Sequence, residues 1–179
     1  MCKFLFSSRV VLAGTLFASL FALAMALIAQ LSYNLQPCTM CIYQRIPFVV
    51  AALVAAVGLF WRPGRVTAMA TAGAALLVNA GLAFYHSGVE QGWFEEAAGC
   101  KVSFDFDAPD ASVQSLMEMI STAQVTSCQE PSWIDPLLGL TMANYNVVYC
   151  LGLAALCFGG VVAHIRRRRA ALHVGARTS

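Results

Sequence analysis

The sequence predicts an all-α membrane protein, a four-helix transmembrane bundle with an external loop carrying a short amphipathic helix. Three observations carry that prediction. The chain of 179 residues is 59% hydrophobic and 11% charged, more apolar surface than a soluble domain of that size can bury. Its apolar residues are gathered into four stretches, each long enough to cross a bilayer. Its charges are sorted by sign along the chain. All nine acidic residues (Glu90, Glu95, Glu96, Asp105, Asp107, Asp110, Glu118, Glu130, Asp135) lie between His86 and Met142, whereas Lys3, Arg9, Arg62, Arg65, Arg166 to Arg169 and Arg177 lie elsewhere. Arg45 and Lys101 alone break the segregation.

The first span, about 10–31, carries no charge. A signal peptide is the competing reading, since Ala24-Met25-Ala26 imitates a cleavage site. The apolar run exceeds the roughly 7–15 residues of a signal core, so the segment is expected to be retained as a helix. The second span, about 42–61, follows Arg45 with an uncharged run from Ile46 to Trp61. The turn Arg62-Pro63-Gly64-Arg65 makes the third span, about 66–85, its antiparallel neighbour. The fourth runs over about 142–165. A membrane helix needs roughly 20 apolar residues, and barrel strands would alternate in polarity, which these segments do not. The expected organisation is a single integral membrane domain over 1–179 with external loops at 32–41 and 86–141.

Lysine and arginine in short loops mark the cytoplasmic side. The N-terminus, the Arg62–Arg65 turn and the arginine tail agree, so both termini are expected inside and both loops outside. The tail reads as a stop-transfer anchor meeting anionic lipid rather than as a nucleic-acid site, and no nucleic-acid partner is expected. Within the larger loop, Ser112 can cap a helix whose Val113, Leu116, Met117 and Ile120 recur at helical spacing. Trp133 to Leu140 is broken by Asp135-Pro136 and reads as an interfacial segment leading into the fourth span.

The chain has seven cysteines. Cys38, Cys41, Cys100 and Cys128 fall in or beside the external segments, where disulfides are permitted. Cys38 and Cys41 form a C-x-x-C. So small a ring stabilises little as a crosslink, and the common use of the motif is redox exchange tuned by neighbouring groups. A bridge between Cys100 and Cys128 would by itself suit a structural role; beside a C-x-x-C on the same side of the membrane, a relay of two cysteine pairs fits better. A zinc or copper site built from the four cysteines is a weaker alternative, and no metal is expected. Cys2 is expected inside the cell. Cys150 and Cys157, inside the fourth span, read as small buried hydrophobes.

Cys41 opens the second helix, where unpaired N–H groups and the helix dipole favour a thiolate. Arg45 follows at i+4 on the same face. A cation there can snorkel to the interface. Equally, a charge at membrane depth is costly and marks function, so Arg45 is a candidate for stabilising the Cys41 thiolate or a negative oxygen on a bound acceptor. His86 and Glu90 stand one turn apart where the third span leaves the membrane, as a polar helix end or as contacts for an acceptor.

These residues resemble a known family. Cys38-Thr39-Met40-Cys41-Ile42-Tyr43-Gln44-Arg45, followed by Pro47, is similar to the C-x-x-C-x-Y-x-R signature of the disulfide bond formation protein B (DsbB) family. Tyr85-His86-Ser87-Gly88-Val89-Glu90 ahead of Cys100, and Cys128 before the last span, continue the likeness over the whole chain. The resemblance implies a bacterial inner-membrane oxidoreductase, with both cysteine pairs periplasmic, that reoxidises a periplasmic DsbA-type thioredoxin-fold partner and reduces a membrane quinone, ubiquinone or menaquinone. It implies catalytic roles for Cys38, Cys41, Cys100 and Cys128. Cys100 would meet the partner, Cys128 would complete the loop pair, Cys38 would exchange with that pair, and Cys41 would face the quinone with Arg45 beside it. His86 carries over as a quinone-site residue. Vitamin K epoxide reductase-like proteins share the ingredients but place C-x-x-C after the loop pair, whereas here it comes first. A non-catalytic membrane assembly protein with two structural disulfides is the alternative from another class.

Overall fold

The computed structural model describes residues 7–33, 35, 37–95, 128–129, 131 and 133–178, with side chains as far as 171. The amphipathic helix expected after Ser112 lies outside the described residues, as do Cys2, Cys100 and Lys101. Four helices account for nearly all of what is described: α1 (Ser8–Ser32), α2 (Thr39–Phe60), α3 (Arg65–Glu90) and α4 (Met142–Thr178). All four are long and apolar enough to cross a membrane, and the chain is a multi-pass all-α membrane protein.

Helix α3 packs most extensively on α4 and then on α2, while α1 lies chiefly against α2 and touches α3 and α4. Among the described residues α2 and α4 make no close backbone approach, so they face each other across the bundle. Small residues set these distances, as membrane packing requires. Ala51, Ala55, Ala72 and Ala83 are fully buried, and so are Leu12, Met69 and Leu76. A Cβ on Gly58 would stand 2.5 Å from the Ala68 Cβ, which is why α2 and α3 can close at that level. The outward faces are apolar as well: Phe17, Leu31, Leu53, Phe60, Val78 and Val148 are all exposed, the pattern of a surface solvated by lipid.

The tight Pro-Gly turn forms as expected and gains a cap. The Arg65 guanidinium reaches back to the Leu59 carbonyl at 3.2 Å and the Gly58 carbonyl at 3.4 Å, placing a cation on the unpaired carbonyls that end α2. Helix α3 runs past Tyr85, the expected end of the third span, to Glu90. No breaker intervenes; the helix stops where Gly92 turns to φ +73° and the Trp93 N–H donates to the Gly88 carbonyl at 2.8 Å. Gly88 has no room for a Cβ because Phe94 covers it. The five further residues, about one and a half turns of helix, therefore project His86 and Glu90 toward the start of α2. Before α4, the chain folds into a tight loop closed by an antiparallel bridge between Ile134 and Thr141, with Gly139 at φ +66° and Asp135 accepting from the Leu137 and Gly139 N–H groups.

The charge sorting read from the sequence becomes a polarity of the bundle. Ser8 of α1 meets His164 of α4 at 3.3 Å, so the end holding Arg9 and the Arg62–Arg65 turn also holds the Arg166–Arg169 run. The opposite end holds Cys38, Cys41, Glu90 and Asp135.

Candidate functional site

Cys38 is the N-cap of α2. Its backbone is extended (φ −72°, ψ 168°) and its sulfur accepts from the Cys41 N–H at 3.4 Å. The C-x-x-C spacing therefore performs the capping that serine or aspartate performs elsewhere, and it lays Cys38 Sγ and Cys41 Sγ 3.2 Å apart, with the Cys38 thiol donating to Cys41. That separation exceeds a disulfide bond of about 2.05 Å, so the pair stands as a dithiol. Cys38 is 4% exposed. The bond it donates to Cys41, together with burial, pushes its thiol up to about 12, while the His86 contact acts in the opposite direction.

The last turn of α3 forms the second wall. His86 is 4% exposed; its Nε2 lies 3.4 Å from Cys38 Sγ and its Nδ1 lies 2.9 Å from Gln44 Nε2 on α2. Glu90 Oε1 approaches His86 Nε2, the nitrogen facing Cys38, at 3.7 Å, and Glu90 Oε2 accepts from the Thr141 hydroxyl at 2.6 Å. Ser87 donates to Asn144 Oδ1 at 2.6 Å. The start of α4 is thus pinned to the end of α3 by polar bonds directly behind the thiols. Cys38, Cys41 and His86 offer ligand atoms all within 4.8 Å of one another, a spacing that would also admit a soft cation.

Cys128 joins this cluster from the loop. It is 1% exposed and packs with Cys38, Met40 and Val89, against which Cys41 and Tyr85 also rest. Three of the four cysteines expected to carry the chemistry are therefore together, 90 positions apart in sequence between Cys38 and Cys128; Cys100 lies outside the described residues.

The thiol pair opens onto a cavity of about 710 Å³, within the range of small-molecule sites. Phe21, Met25 and Ala29 of α1, Phe48 of α2 and Met142 and Tyr149 of α4 make its walls apolar; Cys41, Arg45, His86, Glu90, Gln44 and Asn146 supply the polar groups. A flat, apolar ring with two carbonyl oxygens matches this donor set: an apolar slot, one guanidinium, one imidazole and a thiol. Arg45 and His86 both line the cavity, as the sequence suggested for an acceptor site. Arg45 is half-buried and its Nη1 donates to Gln30 Oε1 of α1 at 3.1 Å.

Sequence reasoning missed Gln30, Gln44 and Asn146. Gln44, at the mouth of the expected second span, is 6% exposed inside the bundle, and Asn146 reaches it from α4 at 2.7 Å. The available signal was their polarity within otherwise apolar helices, where a hydrogen-bonding side chain needs an interior partner.

A family model described as "Disulfide bond formation protein DsbB" matches residues 8–159. The chain is 33% identical over 162 residues to a disulfide bond formation protein B of Aromatoleum aromaticum, covering 87% of this chain and 93% of that one. It is 27% identical over 156 residues to a protein of the same description from Methylobacillus flagellatus, covering 86% and 92%, and 28% identical over 144 residues to an uncharacterized protein of Rickettsia prowazekii, covering 80% and 81%. No solved structure gives a significant match. The chain belongs to the DsbB family of disulfide bond formation proteins, and with its four apolar helices it is a membrane oxidoreductase of disulfide bond formation.

Proposed function

We propose that this protein reoxidises a DsbA-type thioredoxin-fold dithiol protein in the periplasm and passes the electrons to a membrane quinone. The carrying observation is the apolar cavity whose wall bears Cys41 together with Arg45 and His86. It opens among the membrane helices, so a lipid-soluble acceptor can enter from the bilayer. A bound quinone would supply the oxidising power, taking up two electrons and two protons.

The protein's own residues do the rest. The partner's thiolate attacks the Cys100–Cys128 disulfide, forming the mixed disulfide through Cys100 and freeing the Cys128 thiol. The partner's second cysteine then displaces Cys100, so the partner leaves oxidised and the loop pair is left as two thiols carrying its electrons. Cys128, packed on Cys38, hands those electrons to the C-x-x-C by thiol–disulfide exchange through Cys38. Cys38 shields and orients Cys41 as helix cap and hydrogen-bond donor. Cys41, at the helix N-terminus, holds the negative charge next to the acceptor. Arg45 presents a cation to the cavity in a low-dielectric setting, where one charge counts for more than in water. His86 presents its ring beside the sulfurs. The protein lies in a bacterial inner membrane with both termini cytoplasmic and both cysteine pairs periplasmic, the orientation that the arginine-rich end favours by the positive-inside rule.

The deciding experiment is quinone reduction by the purified protein in detergent or nanodiscs, supplied with a reduced DsbA-type partner. One quinol per partner disulfide is expected, with no turnover in Cys41→Ser. Resistance of the C-x-x-C to mild reduction, with no quinol formed, would identify a structural disulfide protein instead.

A further inference from the structure

A single line of hydrogen bonds runs through the bundle core and ends at the thiol pair. Asn79 Nδ2 of α3 donates to Cys150 Sγ at 3.3 Å. The Cys150 thiol donates to Asn146 Oδ1 at 3.2 Å, Asn146 Nδ2 to Gln44 Oε1 at 2.7 Å, and Gln44 Nε2 meets His86 Nδ1 at 2.9 Å. His86 Nε2 then faces Cys38 Sγ at 3.4 Å, and Cys38 donates to Cys41 at 3.2 Å.

The direction of this line follows from its amides together with the carboxylate beside His86. An amide nitrogen can only donate, so His86 Nδ1 accepts from Gln44 and the neutral ring must carry its proton on Nε2. Reversing Gln44 alone would set its NH₂ against the Asn146 NH₂ at 2.7 Å. Reversing Asn146 as well would give Cys150 two donors and leave its own S–H without the acceptor it now has. Turning all three amides, Asn79 included, would also satisfy the line and would put the ring proton on Nδ1. The Glu90 carboxylate, an acceptor 3.7 Å from His86 Nε2, favours the proton on Nε2 and with it the line as drawn, every donor aimed toward Cys41.

We propose that Gln44, oriented by Asn146, is a positioning residue that holds His86 with its ring proton on Nε2, facing the Cys38–Cys41 pair. The inference rests on the redox reading of that pair and adds what the buried amides do for it. A ring N–H gives the sulfurs a donor without placing a full positive charge in the bundle, which burial would penalise. Aligned bonds polarise one another, so the line stabilises negative charge on the thiol pair more than the last bond would alone.

The test is the ¹⁵N spectrum of histidine-labelled, reduced protein in nanodiscs, with the His86 signals assigned by their loss in His86→Asn. A bare Nδ1 and a protonated Nε2 are expected. Asn146→Asp removes the donor to Gln44, and Gln44→Glu presents a carboxylate to Nδ1; both should move the proton to Nδ1. Alkylation of Cys41 at pH 7, followed by mass spectrometry, should slow about tenfold in both variants, the order expected for one lost hydrogen bond to a charged group. A protonated Nδ1 in the parent protein, or a proton that stays on Nε2 in both variants, overturns the proposal. The parent spectrum decides even if a variant fails to insert. It is recorded without quinone or partner, so it can fail while quinone turnover stands, and absent turnover with the expected spectrum would sink the functional reading alone.

Discussion

Cys38 donates its thiol proton to Cys41 at 3.2 Å while its own sulfur caps the helix that Cys41 begins. The two cysteines are therefore unequal before any partner arrives. Cys38 is the buried one, held protonated at the mouth of the helix; Cys41 faces the cavity.

That inequality sets a pH dependence. With its thiol pushed up to about 12, Cys38 in the reduced protein remains protonated through neutral pH. Its alkylation rate should climb about tenfold per pH unit without a plateau up to at least pH 10, since the thiolate is the reactive form. The same raised value makes the dithiol form lose stability as pH rises above the ordinary cysteine value near 9, because the folded state then binds more protons than the unfolded one. The His86 contact acts to lower the Cys38 value, so His86→Ala should slow Cys38 alkylation further at any fixed pH. A plateau below pH 9 would show that Cys38 is not held as described.

Sidedness follows from the two ends of the bundle. Cys38 and Cys128 are nearly sequestered, so labelling them directly would confuse burial with orientation. Exposed reporters avoid this. In a background without native cysteines, Trp93→Cys should react with an impermeant maleimide in intact spheroplasts, and Arg62→Cys only after permeabilisation. Trp93 is exposed near the Cys38 end and Arg62 at the arginine-rich end. The reverse pattern would invert the proposed topology.

The four spans, the charge sorting and the thiol motif were legible because each is a local property: hydropathy, sign and spacing are written in consecutive residues. The Pro63-Gly64 turn was legible for the same reason. The interior wiring was not. Gln44 and His86 are 42 positions apart and Gln44 and Asn146 are 102 apart, and nothing in the sequence tells which helices become neighbours. Arg45 illustrates the limit. Helical spacing put it on the Cys41 face, and it does line the same cavity, but its hydrogen bond goes sideways to Gln30 on α1, a partner no periodicity could supply. His86 fell beyond the expected end of the third span; α3 continues to Glu90 and ends ahead of the positive-φ Gly92.

The relay order makes a trapping prediction. If Cys100 receives the partner and Cys128 can attack that adduct and release it, loss of Cys128 should prolong the mixed disulfide, with the Cys38–Cys41 disulfide regenerated by quinone as the oxidant that forms it. Cys128→Ala, combined with a partner lacking its own resolving cysteine, should accumulate a covalent complex through Cys100, read by non-reducing gels and peptide mapping. Because Cys128 packs on Cys38, the same variant should leave Cys38 more open to small thiol reagents. A complex mapped to Cys38 would overturn the order.

Arg45 separates the quinone step from the thiol steps. Its guanidinium lines the cavity and is steadied by Gln30, so its contribution should fall on the acceptor and leave exchange between the partner and Cys100 intact. Arg45→Ala should lower kcat/KM for quinone by about 10- to 100-fold, the range for removing a hydrogen bond to a charged group, while mixed-disulfide formation through Cys100 proceeds. Lysine at this position should restore part of the loss, since it keeps the charge but loses the planar fork. Gln30→Ala, which removes the support but keeps the cation, should cost less than Arg45→Ala and raise KM more than it lowers kcat. Unchanged quinone kinetics in a correctly inserted Arg45→Ala protein would make Arg45 a snorkelling interface residue, with Gln30 as the anchor of its side chain and no part in the acceptor site.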